Sequence, residues 1–188
     1  MKALVTGGAR SGKSGFAERL CMARAPRACY IATAQAYDVE MKERIALHRL
    51  QRDSAGYDWQ TLEEAQALPE LLRRLGSAQA SQPSPAPMVL VDCLTLWLSN
   101  VLLAAGEDGE AAARAAMDEL AAAVEQYPGS LVIVTNEVGD GIVPEYPLGR
   151  LYRDLSGVMN QRIARLCDEV FLVTAGIPVE LKQLEYKL

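Results

Sequence analysis

The 188-residue sequence predicts an α/β fold, a mostly parallel twisted sheet with helices on both faces. Three observations carry this prediction. Short apolar runs alternate with amphipathic stretches along the chain, the order that right-handed strand-helix-strand crossovers require. The first run, Lys2 to Thr6, enters a helix-forming stretch through the glycine-rich turn Gly7 to Ser14. Another run, Met88 to Val91, ends in a carboxylate at Asp92.

The glycine-rich turn is the most informative stretch. Gly7-Gly8-Ala9-Arg10-Ser11-Gly12-Lys13-Ser14 fits G-x4-G-K-[ST], in which glycines let backbone N–H groups curl around phosphate oxygens. Lys13 would reach the β and γ phosphates of a nucleoside triphosphate, and Ser14 would bind Mg²⁺ through its hydroxyl. The helix that follows would point its unpaired N–H groups and positive dipole end at the anion. Asp92 then reads as the acid of a Walker B strand, presented beside the phosphate loop, or as the cap of the helix beginning near Leu94. A P-loop nucleotide-binding domain over residues 1–188 is the expectation.

Composition narrows the class. Half of the residues are hydrophobic, enough for one sizeable core, and no internal repeat suggests a second. A net charge of −5 removes the broad basic surface from which sequence-independent nucleic-acid binding derives its affinity. Cys21, Cys29, Cys93 and Cys167 are scattered through apolar stretches with no C-x-x-C pair, the pattern of buried thiols in a reducing compartment. No apolar run approaches the ~20 residues of a membrane span. With a strand at the very start and no signal peptide ahead of it, a soluble cytoplasmic protein is expected.

The remaining elements follow in order. A first helix spans Lys13 to Arg24 and stops at Pro26, and a second strand covers Ala28 to Thr33. Asp38 to Arg52 is helical in propensity, with acids early and bases late; Met41, Ile45, His48 and Arg52 share one stripe. Asp58 to Leu62 reads as a short edge strand, Pro69 as the first turn of a helix ending near Gly76, and the Ser- and Pro-rich Gly76 to Pro87 as a surface loop. Leu94 to Ala104 is nearly all apolar, so that helix is either deeply buried or packed against another subunit. An alanine-rich helix carries Met117, Leu120, Val124 and Tyr127 on one face and stops at Pro128. Leu131 to Thr135 is a buried strand, and Asn136 to Glu145 a loop with two glycines and four polar side chains. That loop is either a ligand-binding element or ordinary strand-to-helix turn chemistry. A helix from Arg150 to Cys167, with Leu151, Leu155, Met159, Ile163 and Leu166 on one face, leads to a strand over Glu169 to Val173. Val179 to Lys182 adds a C-terminal antiparallel edge strand.

A phosphate loop names the ligand and not the reaction. A GTP-dependent switch would carry N-K-x-D and D-x-x-G, but Asn136 is followed by Glu137 and Asp92 by Cys-Leu-Thr. A small-molecule kinase needs little beyond Lys13, Mg²⁺ and a few arginines. A nucleotidyltransferase with a covalent intermediate needs a nucleophile near the α phosphate. His48, the one histidine, is the candidate, since at its ordinary pKa of ~6.5 a ring nitrogen is largely free to attack phosphorus. Arg44, Arg49 and Arg52 lie close to it in sequence and could stabilise charge on the phosphates. The alternative is a histidine packed on the Met41 and Ile45 stripe with its polar edge in water.

Several stretches together carry a resemblance: Thr6 to Ser14, Tyr30-Ile31-Ala32-Thr33-Ala34, Arg44-Ile45 with His48-Arg49, Trp59-Gln60-Thr61-Leu62-Glu63, and Val134-Thr135-Asn136-Glu137-Val138-Gly139-Asp140-Gly141-Ile142-Val143-Pro144-Glu145. Over nearly the whole chain the sequence resembles the bifunctional adenosylcobinamide kinase/adenosylcobinamide-phosphate guanylyltransferase family. The resemblance implies a two-step enzyme of coenzyme B12 assembly. It phosphorylates adenosylcobinamide with ATP or GTP, then passes GMP from GTP through a histidine to adenosylcobinamide phosphate, giving adenosylcobinamide-GDP. It implies His48 as the guanylylated position and Lys13 as a catalytic residue. It places nucleotide contacts at Gly7, Gly8, Ala9, Arg10, Ser11, Gly12, Lys13, Ser14, Ala32, Thr33, Ala34, Arg49, Leu50, Gln51, Arg52, Glu63 and Asp92, with Mg²⁺ on Ser14 and Asp92. A homotrimer is implied as well, which would account for the apolar Leu94 to Ala104 helix. The chain departs from the family pattern between His48 and Trp59, which is longer than usual and lacks an Arg-Pro pair.

Overall fold

A computed structural model describes residues 1–35, 43, 46, 50, 52, 56–80 and 87–187 of the chain. Its strands are β1 (Lys2–Thr6), β2 (Arg27–Ala32), β3 (Asp58–Glu63), β4 (Met88–Asp92), β5 (Leu131–Val134), β6 (Glu169–Thr174) and β7 (Ile177–Glu180). Its helices are α1 (Lys13–Arg24), α2 (Leu68–Ala80), α3 (Leu94–Ala104), α4 (Gly109–Gln126) and α5 (Pro147–Leu166), with a 3-10 turn at Gly106–Asp108. The strands form one sheet in the order β3-β2-β4-β5-β1-β6-β7, parallel throughout except for β7, which runs antiparallel to β6.

The central strands are apolar along their interiors because both faces of the sheet are covered. Side chains alternate between faces, so Leu4, Ile31, Val89, Val91, Leu131 and Ile133 pack under the layer of α2, α3, α4 and α5. Ala3, Val5, Ala28, Tyr30, Leu90, Val132 and Val134 face the other way, together with Ala17, Leu20 and Cys21 of α1.

The expected apolar stripes supply the first of these cores. Met117, Leu120 and Val124 of α4 and Leu155, Met159 and Ile163 of α5 are buried. Helix α3 is apolar for the same reason. Leu94, Trp97, Leu98 and Leu102 are buried within this chain, and the Trp97 indole N–H donates to the Gln66 carbonyl at 2.8 Å. Its hydrophobicity is therefore accounted for without a second subunit.

Two boundaries differ from the sequence expectation in instructive ways. Helix α2 does not end at Gly76 but continues to Ala80, and Gly76 sits where a Cβ would lie 3.0 Å from Pro128 Cδ. There the glycine is a packing residue, not a helix stop. Helix α5 starts three residues early, with Pro147 in its first turn, where a missing N–H costs nothing. The four cysteines are buried and unpaired. The segment assigned to a helix over 38–52 lies outside the described residues apart from Glu43, Ala46, Leu50 and Arg52, all four helical, and residues 81–86 lie outside them too.

Candidate active site

The site forms where the strands end. Glu63, Ala32 and Asp92 stand in register across β3, β2 and β4, and Asp92 pairs in turn with Val134 of β5. β1 lies between β5 and β6, so the turn leaving it emerges at the same end of the sheet. Ligands of open α/β sheets bind at that end.

The turn after β1 is a tight cradle. A Cβ on Gly7 would collide with the Val173 carbonyl oxygen and lie 2.7 Å from Ser11 Oγ, so only glycine fits. Gly12, at φ 92°, is left-handed and caps α1, and its Cβ would lie 3.2 Å from Gly176 Cα. The cradle is locked to its neighbours: Gly176 N–H donates to Ser11 O at 2.8 Å and Glu137 N–H to Gly7 O at 3.1 Å. Arg10 takes φ 54°, a left-handed conformation uncommon outside glycine. Lys13 is buried and its ammonium donates to the Gly8 carbonyl at 3.0 Å, which stretches the side chain back across the loop. Thr6 Oγ1 and Ser11 Oγ are buried with no hydrogen-bond partner among the described residues. Orphaned hydroxyls beside an N-terminal helix turn fit a polyanion that supplies the missing acceptors.

Asp92 is half-buried at the end of β4 and accepts a hydrogen bond from Tyr30 OH at 3.1 Å. It does not cap α3, whose N-cap is Cys93. Its carboxylate therefore has no capping role, and a carboxylate oxygen is the kind of donor a hard cation takes. No cluster of three or more His, Cys, Asp or Glu that could hold a metal ion occurs among the described residues.

Behind Asp92 lies a buried ionic group not anticipated from sequence. The Arg52 guanidinium sits 3.7 Å over the Tyr30 ring, and its Nη1 is 3.6 Å from Glu18 Oε1. Burial, opposed by Arg52 and reinforced by Asp92, pushes the Glu18 carboxyl above its ordinary value. Burial, with Asp92 adding to it, pushes the Tyr30 phenol well above its own. The usable signal was spacing. Glu18 is four residues after Ser14 and so lies on the same face of α1.

Thr33 is fully buried, its hydroxyl donating to Cys93 O at 2.7 Å and accepting from Cys93 N–H at 2.8 Å. Its own carbonyl accepts from Asn100 Nδ2 at 2.8 Å, so Thr33 shapes the strand ends through its backbone. Ala34 is half-buried and Glu63 exposed. Leu50 is exposed and Arg52 buried, whereas Arg44, His48, Arg49 and Gln51 lie outside the described residues.

The loop after β5 is the third component. Asn136 Nδ2 donates to Thr95 Oγ1 at 2.5 Å, Asn160 Nδ2 to the Asn136 carbonyl at 3.0 Å, and Thr135 Oγ1 to Asn160 Oδ1 at 2.7 Å. Arg153 donates to the Gly139 carbonyl, and Arg150 to the carbonyls of Pro144 and Glu145 at 3.2 and 2.6 Å.

A strand, glycine-rich phosphate cradle and helix, with an acid ending the strand two places away, define a P-loop nucleotide-binding protein. Comparison with solved structures agrees at the level of fold. The chain superposes on a prototypical ATPase from the type III secretion system of pathogenic bacteria with TM-score 0.55 and 13% identity, over 100% of this chain and 58% of that one. It superposes on a protein of Pyrococcus horikoshii OT3 with TM-score 0.52 and 9% identity, over 95% of this chain and 84% of that one. At the level of sequence, residues 3–181 match the family described as cobinamide kinase / cobinamide phosphate guanyltransferase, and the chain belongs to that family. Among curated relatives, the bifunctional adenosylcobalamin biosynthesis protein CobP of Pseudomonas aeruginosa is 44% identical over 97% of this chain and 98% of its own. The corresponding protein CobU of Salmonella typhimurium is 42% identical, and that of Escherichia coli K12 41%, each over 97% of this chain and 100% of its own. Among the described residues no helix is long and apolar enough to cross a membrane.

Proposed function

We propose that this chain phosphorylates the hydroxyl of the aminopropanol arm of adenosylcobinamide with ATP or GTP and then guanylylates the product through His48. The observation that carries the reading is the match to bifunctional cobinamide kinase/guanyltransferases along almost the whole chain, on a protein whose phosphate cradle is complete. In the first step the arm hydroxyl oxygen attacks the γ phosphorus. A new P–O bond forms as the bond to the bridging oxygen breaks, the nucleoside diphosphate leaves, and the hydroxyl proton passes to water. In the second step a ring nitrogen of neutral His48 attacks the α phosphorus of GTP, a P–N bond forms, and pyrophosphate leaves. A phosphate oxygen of adenosylcobinamide phosphate then attacks that phosphorus, the P–N bond breaks, and His48 is regenerated with adenosylcobinamide-GDP as product.

The chain's own groups supply positioning and charge. Gly7 to Ser14 hold the polyphosphate, and the ammonium of Lys13, released from the Gly8 carbonyl, neutralises charge on the β and γ phosphates. Ala32, Thr33, Ala34, Glu63 and Asp92 lie at the strand ends, where the nucleoside would rest, and Arg49 to Arg52 complete the proposed nucleotide contacts. Ser14 and Asp92 would hold Mg²⁺, which when bound draws negative charge off the phosphates. The assembly proposed is a homotrimer. Since α3 is buried within one chain, the exposed apolar residues of β7 and beyond, Ile177, Val179 and Leu184, are better candidates for subunit contact.

Incubation with Mg²⁺ and GTP labelled in the α phosphate tests the reading. An acid-labile, base-stable adduct is expected on the wild-type chain and none on His48→Ala. Folded wild-type protein that takes no label, or an adduct that survives in His48→Ala, would reduce the assignment to a simple kinase.

A further inference from the structure

Resting on that reading, we infer that the turn of the loop after β5, around Ile142 and Val143, is the docking surface for the corrin macrocycle of the acceptor. Ile142 is 97% exposed and Val143 59%, two adjacent branched apolar side chains in water. Single exposed apolar residues are ordinary in loops that are free to fold them inward. This loop is not free, because α5 grips its backbone from beneath. Arg153 donates to the Gly139 carbonyl, Arg150 to the Pro144 and Glu145 carbonyls, and Pro144 lies so close over Gly149 that a Cβ there would come within 2.7 Å of it. The polar anchors point inward and the apolar side chains outward. That is the reverse of what burial alone would select, and it describes a preformed binding platform.

Position and charge select the occupant. The loop begins one hydrogen bond from the phosphate cradle, Glu137 N–H to Gly7 O at 3.1 Å, and five residues further Ile142 lies within about 18 Å of that junction. A corrin macrocycle is too wide to enter the cradle, so only its aminopropanol arm reaches the phosphates while the ring rests outside. An apolar surface at that distance suits the ring face. Asp140 and Glu145, both exposed, flank Ile142 and Val143, while the guanidiniums of Arg150 and Arg153 are engaged with the loop's carbonyls. Carboxylates beside an apolar surface favour a cationic cobalt corrinoid and disfavour a second nucleotide.

Equilibrium dialysis of adenosylcobinamide against wild-type, Ile142→Asn and Ile142→Leu proteins tests the inference, with α-labelled GTP adduct formation measured on each without corrinoid. Loss of one buried branched side chain is expected to raise the corrinoid Kd about 10-fold in Ile142→Asn. Ile142→Leu should bind as wild type, and adduct formation should be equal in all three. Asp140→Lys should weaken corrinoid binding further. An unchanged Kd in Ile142→Asn overturns the inference. So does a change in oligomeric state with adduct formation lost, which would assign the surface to a second copy of the chain. Wild-type protein that binds corrinoid but forms no adduct would instead contradict the histidine step while leaving the docking surface standing.

Discussion

The phosphate loop and the loop after β5 lie at the same end of the sheet, joined by one hydrogen bond, yet they hold their shapes by opposite means. The first is shaped by the backbone itself. Gly7 and Gly12 allow close approaches to Val173, Ser11 and Gly176 that any side chain would block. The second is shaped from outside, by Arg150, Arg153 and Asn160 reaching from α5 to its carbonyls. A cradle that must surround phosphate needs its own N–H groups free and its walls fixed, whereas a platform that meets a large ring needs only a firm backbone beneath exposed side chains. The cradle should therefore fail in an all-or-none way when a Cβ is added, and the platform should loosen gradually when an anchor is removed.

The sharpest way to break this contrast is at Gly7. Gly7→Ala forces a Cβ into the Val173 carbonyl and Ser11, and is expected to cost about 3 kcal/mol of stability, read from the denaturant midpoint, and to abolish triphosphate binding. Arg153→Ala removes one charged donor to the Gly139 carbonyl and should cost about 1.5 kcal/mol. Amide exchange should quicken across residues 139–146 while residues 7–14 keep their protection. Equal acceleration in both loops would mean that they are one cooperative unit.

A smaller effect belongs to the ionic group behind Asp92. The folded-state value of Glu18 is raised, chiefly by burial, so the folded chain retains a proton that the unfolded chain releases. Stability should fall as pH rises through the window between the ordinary carboxyl value and the raised one. Glu18→Gln should flatten the curve there, and a slope that persists would locate the titrating group elsewhere. Smallest is the response of the thiols. Burial pushes Cys21 and Cys167 up to about 12 and Cys29 up to about 11, so native protein at pH 8 should resist alkylation that urea-unfolded protein undergoes readily.

The same contrast explains what could be read from the sequence. Backbone requirements are written locally. Gly7 to Ser14 announces its shape because glycine at fixed spacing has few other uses, and the period of Met117, Leu120 and Val124 announces a buried helix face. The parallel sheet, its antiparallel edge and the burial of all four cysteines followed from patterns of that kind. Requirements met by distant side chains are not written locally. Nothing near Gly139 or Pro144 signals that Arg153 and Arg150 will hold their carbonyls, and nothing near Tyr30 signals that Arg52 will stack on it. The apolar run of α3 was ambiguous between subunit contact and core until α4 and α5 were seen to cover it, and Gly76 read as a stop because its neighbour, Pro128, is remote in sequence.

In the function proposed, one cradle serves chemistry at two phosphorus atoms, γ for phosphorylation and α for guanylylation. Lys13→Ala tests it most directly, assayed in parallel with γ-labelled GTP and adenosylcobinamide and with α-labelled GTP alone. Loss of the buried ammonium should lower both the rate of γ transfer and the rate of His48 labelling by about 100-fold or more. Labelling of His48 at the wild-type rate, with γ transfer abolished, would show that the guanylylated triphosphate lies outside the cradle and would contradict the account.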